Sequence, residues 1–258
     1  MESCHGNVKD LLSMRYGIFS DVHGNYQALQ AVFAAFMQHR VDRYVCLGDI
    51  LGYGAQPNEC LDLMRMHHTR IILGNHDIAA LGWLNVSGYH AHVKEALDYS
   101  AQELSALHRQ WLSSCEYTHY ERGIFFSHAF AYLDPLAFEY LTETSQIIPC
   151  LEQYRTIPSV SFIGHSHLTK SFKIQPKHVE ELNIKDTCDV LHSCKYIFTV
   201  GSVGQPRDKD PRAAAVIYDT QKNRVQYLRV VYDIACAQTH IIQAGLPSVF
   251  ANRLSQGI

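Results

Sequence analysis

Nowhere does this chain hold the roughly 20 consecutive apolar residues that a membrane-spanning helix needs, so no membrane role is expected. It has no cluster of lysine and arginine either, and its formal charge is −3 with the histidines neutral. A nucleic-acid backbone is therefore not the expected partner, and small or protein-borne substrates are favoured. Cysteines are present at 4, 46, 60, 115, 150, 188, 194 and 236, but none pairs in a CxxC motif. No charged stretch followed by an apolar one opens the chain, which with the scattered thiols leads us to expect a reduced, cytoplasmic protein. Internal repeats and low-complexity tracts are lacking too. What remains is 258 residues with 47% hydrophobic content, enough for one sizeable core. The expected organisation is a polar, disordered lead-in over 1–13 and a single domain over 14–258.

Short apolar runs alternate with helical patterns along that domain. Tyr16 to Phe19 is of β type, and Asn25 to Met37 repeats Leu29, Val32, Phe33 and Phe36 at helical spacing. A second unit follows, with strand Tyr44 to Leu47, a loop through Pro57, helix Asn58 to Met66 and strand Arg70 to Leu73. This alternation predicts a layered α/β fold. Residues 78–120 read as a helical insert, with one helix from Ala91 to Leu107 and the aromatics Trp83, Tyr89 and Trp111, placed to roof a site. The runs Tyr196 to Val200, Ala213 to Tyr218 and Arg224 to Val231 predict an antiparallel second sheet. Residues 234–258 read as two short helices broken at Gly245 and Pro247.

Five of these segments end in residues able to hold metal: Asp21 and His23 in SDVHGN, Asp49 in GDILGYG, Asn75 in GNHD, His128 in SHA, and His165 and His167 in GHSH. Each follows an apolar run, which puts it at the carboxyl end of a strand, where α/β sheets carry their sites. Asp21 and His23, two apart beside Gly24, can converge on one ion, and His165 and His167 repeat that spacing. The Asp49 carboxylate can bridge two cations, and Asn75 offers a neutral carbonyl oxygen. Imidazole mixed with carboxylate or amide oxygen suits Mn²⁺, Fe²⁺, Zn²⁺ or Ni²⁺ better than Ca²⁺. Two such ions roughly 3.5 to 4 Å apart bring the pKa of a shared water towards about 7 and clamp a phosphoryl group for in-line attack. Phosphoester hydrolysis is the natural chemistry of that set.

DVHGN, GD, GNHD, a solitary histidine and GHSH, in that order from about Gly17 to Arg207, resemble the calcineurin-like metallophosphoesterase family. One His-Gly or Gly-Asp dipeptide would be an ordinary turn, whereas five segments in family order are specific. The resemblance implies an α/β (α+β) fold, a four-layer sandwich of two packed mixed β-sheets flanked by helices. It implies two divalent transition-metal ions, Mn²⁺ first and Fe, Zn or Ni as alternatives. Asp21, His23, Asp49 and His167 would hold one ion and Asp49, Asn75, His128 and His165 the other, with Asp49 the bridge and a metal-bridging hydroxide the nucleophile. His76, which that scheme does not need as a ligand, is assigned as general acid, a role typically worth ~10² to 10⁴ in rate. Asp77 either orients the His76 imidazole or caps the following helix.

The chain departs from the phosphoprotein phosphatases of that family, whose GDxxDR carries an acid and an arginine where Gly52 and Tyr53 stand here. The acid that would hold His76 and the arginine that would grip phosphate are both missing at those positions. Tyr53 and Asn58 in GYGAQPNE and Arg207 in GSVGQPRD look like a bacterial and archaeal subgroup labelled as phosphodiesterases or relatives of diadenosine tetraphosphatases. Asn75, Tyr53 and Arg207 are the substrate-binding candidates. Arg207 has a planar fork that matches phosphate oxygens; its bland alternative is a solvated loop with Asp208, Lys209 and Asp210. Tyr53 is either a substrate contact or core packing at a strand edge. Cys188, His192 and Cys194 fit no standard zinc spacing and read as sheet residues. The expected activity is hydrolysis of a phosphodiester or nucleotide-type substrate, the partner being a phosphorylated small molecule or nucleotide. The rivals are a phosphomonoesterase, Ser/Thr protein phosphatases included, and a catalytically silent scaffold like the metallophosphoesterase-like subunit of retromer. No motif specifies the natural substrate, the metal or the oligomeric state.

Overall fold

The computed structural model describes residues 13–130 and 138–258, so the lead-in expected to be disordered lies, but for Ser13, outside the described residues. Helical periodicity resolves at α1 (Tyr26–Gln38), which buries Ala28, Leu29, Val32, Phe33 and Phe36 on one stripe. Asn25 caps it, its side-chain oxygen accepting from Ala28 N at 3.1 Å and satisfying a free amide of the first turn. Before and after it run β1 (Arg15–Phe19) and β2 (Arg43–Cys46), paired in parallel. Then come α2 (Pro57–Met66), which opens on a proline where no amide partner is needed, and β3 (Arg70–Ile71), parallel to β2. The insert folds as α3 (Asn75–Ala80), α4 (Ala91–Glu103) and α5 (Ala106–Leu112), leading to β4 (Thr118–Glu121). The single helix expected from Ala91 to Leu107 is therefore two. Leu104 is extended, and the Ser105 hydroxyl accepts from His108 N at 3.2 Å to start α5.

Eight more strands follow: β5 (Ile124–Ser127), β6 (Val160–Ile163), β7 (Thr169–Gln175), β8 (His178–Glu181), β9 (Thr187–Asp189), β10 (Lys195–Val200), β11 (Ala213–Asp219) and β12 (Arg224–Val230). They complete two mixed six-stranded sheets, ordered β3-β2-β1-β11-β12-β9 and β4-β5-β6-β10-β7-β8. The runs at 196–200, 213–218 and 224–231 thus do not share one sheet, as their sequence suggested. β10 lies parallel to β6 in the second sheet, whereas β11 joins the first, antiparallel to β1 with Ile18 opposite Val216, and β12 pairs with β11. Alternation along a strand reports its apolar face, not the partner its edge will find.

Both sheets contribute to a shared interior: Tyr16, Ile18, Val45, Leu47 and Val216 from the first, Phe126, Phe162, Tyr196 and Phe198 from the second. Full burial of such a side chain stabilises by about 1.5 to 3 kcal/mol. The outer face of the first sheet, with Phe19, Cys46 and Ile217, packs under Leu29, Phe33, Leu61, Leu97 and Phe250 of the helical layer. The outer face of the second, with Phe172, Ile174 and Ile197, is covered by Cys150 of a short 3-10 turn at 148–153 and by Ile147, which joins it to another at 144–146. The layers are helices, sheet, sheet and turns, the four-layer α/β sandwich the motifs implied. α6 (Ile234–Gln243) and α7 (Ser248–Leu254) complete the helical layer, separated at Gly245 and Pro247 as expected. No helix among the described residues is long and apolar enough to cross a membrane.

Candidate metal centre

The candidate ligands stand beyond the carboxyl ends of β1, β2, β5 and β6 and at the start of α3. After β1 and β2 stop, their loops continue side by side: Asp21 N donates to Gly48 O (2.9 Å), His23 N to Asp49 O (2.9 Å) and Gly24 N to Ile50 O (2.8 Å). The backbone there is strained. Asp21, His23, Asp49, Tyr53, His165 and His167 have φ between 48° and 64°, a left-handed conformation costing a residue with a Cβ roughly 1–2 kcal/mol. Six of the twelve such residues in the described structure lie here, so strain is concentrated where the candidate site residues are.

Seven side chains from the five segments converge. His167 Nε2 lies 3.3 Å from Asp21 Oδ1 and 3.3 Å from His23 Nε2, and His23 Nε2 is 3.8 Å from Asp49 Oδ2. On the other side of that oxygen, His128 Nε2 is 3.4 Å from Asp49 Oδ2, 3.2 Å from Asn75 Oδ1 and 3.2 Å from His165 Nδ1. Asp49 Oδ2 is common to both groups. Asp21, His23 and His167 present donor atoms close enough to share one ion, as do Asp49, His128 and His165; an overlapping set joins His23, Asp49 and His76.

Backbone carbonyls aim the imidazoles. Nδ1 of His23 donates to Leu51 O (2.9 Å), that of His128 to Leu47 O (2.9 Å) and that of His167 to Gln205 O (2.5 Å). In His23 and His167 this leaves the Nε2 lone pair facing inward, the tautomer a metal ligand needs. Burial pushes both rings well below the usual imidazole range, and pushes His165 down to about 3. Burial pulls His128 the same way, but the Asp49 carboxylate beside it outweighs that and lifts it to about 9. For Asp49 burial works upward, yet His128 and then His76 hold it well below the usual carboxylate range. Burial, with the charge of Asp49 adding to it, raises Asp21 to about 7, and its Oδ1 is buried without a hydrogen-bond partner. A divalent cation fits this donor set: it would answer the orphaned oxygen and the inward lone pairs together, displacing the proton between His128 and Asp49.

The remaining candidates divide. Asp77 does not orient His76; its Oδ1 accepts from Ile50 N (2.9 Å) and Leu51 N (3.1 Å) and its Oδ2 from Gly74 N (3.0 Å), so it caps α3 and pins the loop after Asp49. That burial, with the charge of Asp49, raises its carboxyl to about 7. His76 is tied by its backbone, N to Asp49 Oδ1 at 2.8 Å, while its Nδ1 is buried without a partner. That nitrogen faces Gly52, where a Cβ would collide with it, so the ring fills the room a larger residue would need. Tyr53 and Arg207 both reach the site. The Tyr53 ring lies 4.5 Å from that of His23 and 4.8 Å from that of His76, and Arg207 Nη2 is 3.4 Å from Tyr53 Oη and 3.3 Å from Gln205 Oε1. Asp208 and Asp210 pair with Arg229 and Arg212, which leaves half-buried Arg207 with neutral partners among the described residues. Cys188, His192 and Cys194 form no ligand group among those residues.

Sequence reasoning missed how Asn75 is aimed. Tyr89, from the insert, accepts at its hydroxyl from Asn75 Nδ2 at 3.1 Å, which turns Oδ1 towards His128. His90 and His92, also in the insert, lie exposed at the surface with their rings tilted against each other, centroids 5.3 Å apart. Nothing in the local pattern around Tyr89 signals this contact. Tyr89→Phe is expected to weaken Mn²⁺ binding roughly tenfold in a calorimetric titration, leaving thermal stability unchanged; equal affinity would show that the amide needs no such anchor. Tyr140 was missed as well, its ring stacked on His165 at 4.1 Å.

A family model of the calcineurin-like phosphoesterase superfamily domain matches residues 14–223. An uncharacterized protein of Methanocaldococcus jannaschii is 31% identical over 252 residues, covering 93% of this chain and 97% of that protein. Among solved structures, a metallophosphoesterase from Sphaerobacter thermophilus superposes with a TM-score of 0.81 at 33% identity, over 95% of this chain and 100% of the other. A hypothetical protein from Pyrococcus horikoshii shares the fold at a TM-score of 0.76 and 16% identity, over 95% and 98% of the two chains.

Proposed function

The chain belongs to the calcineurin-like phosphoesterase superfamily, and we propose that it is a two-metal hydrolase of a phosphodiester or nucleotide-type substrate. The observation that carries this reading is Asp49 Oδ2, set between His23 Nε2 at 3.8 Å and His128 Nε2 at 3.4 Å. Asp21, His23, Asp49 and His167 would hold one ion, and Asp49, Asn75, His128 and His165 the other. Bound Mn²⁺, or Fe, Zn or Ni in its place, supplies Lewis acidity and a nucleophile at neutral pH. The protein keeps the imidazoles turned inward through the carbonyls of Leu51, Leu47 and Gln205. Arg207 takes a phosphoryl oxygen: a half-buried guanidinium with neutral partners favours an anion in the space it faces. Tyr53 steadies that guanidinium, and His76 stands beside Asp49 to protonate the leaving oxygen.

The missing acid and arginine at Gly52 and Tyr53 support a diester or nucleotide over a phosphoserine or phosphothreonine chain. The assembled ligand set speaks against a silent scaffold. We place the protein in the cytoplasm on its scattered cysteines, the seven described ones being free. Protein stripped by chelation and reloaded with Mn²⁺ is expected to bind about two ions per chain and to hydrolyse bis-p-nitrophenyl phosphate faster than p-nitrophenyl phosphate. A large preference for the monoester would hand the reading to a phosphomonoesterase. No metal uptake and no turnover would hand it to a scaffold.

A further inference from the structure

We infer that α6, α7 and the turn at Gly257, which lie beyond the residues matched by the family model, brace Tyr53 and Arg207 in the active site. The inference rests on the reading of Arg207 as a phosphate clamp. Arg207, with no carboxylate partner among the described residues, owes its position to the loop that carries it and to the neutral groups it touches. Here both are backed by the same helical pair.

Three contacts carry the argument. The Phe250 ring of α7 lies 4.9 Å from the Tyr53 ring, which also meets the rings of His23 and His76, so Tyr53 is held between α7 and the ligand cluster. Its backbone is left-handed, at φ 59°, and packing must hold it there. Two residues from Arg207, Lys209 N donates to Gly257 O at 2.8 Å. Gly257, at φ 65°, approaches the loop so closely that a Cβ would come within 2.7 Å of the Asp210 backbone. Finally, Ala237 and Ile241 of α6 and Leu254 of α7 line one narrow crevice with His23, Gly204 and Gln205. Gln205 carries both the carbonyl that orients His167 and the amide oxygen that meets Arg207. The far side of this loop is tied to both sheets by Asp208, through Arg229 of β12 and Thr169 of β7, so the turn at Gly257 sets its remaining freedom.

Phe250 and Gly257 are positioning residues, and their signature is a split between KM and kcat. Phe250→Leu and Gly257→Val, assayed on the Mn²⁺-loaded protein with bis-p-nitrophenyl phosphate, are each expected to raise KM roughly tenfold while kcat and metal content hold and the melting temperature falls by only a few degrees, as a packed ring and a left-handed glycine require. In an Arg207→Ala background, where the clamp is already gone, neither should raise KM further. Should Phe250→Leu disturb folding, Gly257→Val at the final turn carries the test. An unchanged KM in the α7 variants beside a raised KM in Arg207→Ala overturns the brace alone, as would additive increases in the double variants. An unchanged KM in Arg207→Ala overturns the clamp, and the brace with it.

Discussion

Asp49→Asn is expected to lower turnover on the order of 10³-fold or more and to reduce bound metal from about two ions per chain to fewer than one. The substitution keeps the shape of the side chain, so the loops should fold as before. Its chemistry fails for a specific reason. Asp49 Oδ1 accepts from His76 N at 2.8 Å, so an asparagine will place its oxygen there and turn its NH₂ towards His23 and His128, where Oδ2 now lies. Two donors and no charge would then occupy the point shared by both ligand groups. Elemental analysis with parallel bis-p-nitrophenyl phosphate turnover measures both effects. A variant that keeps two ions and the wild-type rate would remove Asp49 from the bridging position.

His76→Asn is expected to lower kcat by about 10² to 10⁴ while the metal content stays unchanged, because His76 is not needed in either of the two proposed groups of four ligands. The backbone contact to Asp49 survives the change, so the loop should hold. What the loss depends on is informative. Burial lowers the pKa of His76, and its Nδ1 has no partner to favour the protonated ring. A general acid matters most for an alkoxide leaving group such as a nucleoside and least for p-nitrophenolate, which leaves unaided. The expected loss is therefore larger with a nucleoside-leaving diester than with bis-p-nitrophenyl phosphate. Equal losses would assign His76 to holding the phosphate instead.

Much of the candidate site was legible because its chemistry belongs to residue types set close together. Asp21 with His23 and His165 with His167 need only the end of a strand and a turn, and Asn25 caps α1 through an amide three residues away. The same locality explains where reading stopped. An acid directly after His76 and three residues after Gly74 serves equally as orienter or cap, and only the direction of the carboxylate, towards Ile50, Leu51 and Gly74, decided it. The break at Ser105 was not read from the sequence: residues 91–107 scan as one helix, and the extended Leu104 and the bond from His108 N to the Ser105 hydroxyl separate α4 from α5.

From its sequence alone, this protein was determined to be a layered α/β chain with an ordered set of metal-grade donors, because donor chemistry and strand or helix periodicity are encoded by neighbouring residues. The tertiary structure decided which sheet β10, β11 and β12 joined, that one oxygen of Asp49 would stand between the two candidate ligand groups, that Tyr89 and Gln205 would bond Asn75 and His167, and that Phe250 would pack on Tyr53. Those outcomes depend on pairings between distant segments and on left-handed backbone that the assembled loops impose, and neither leaves a periodic trace in the chain.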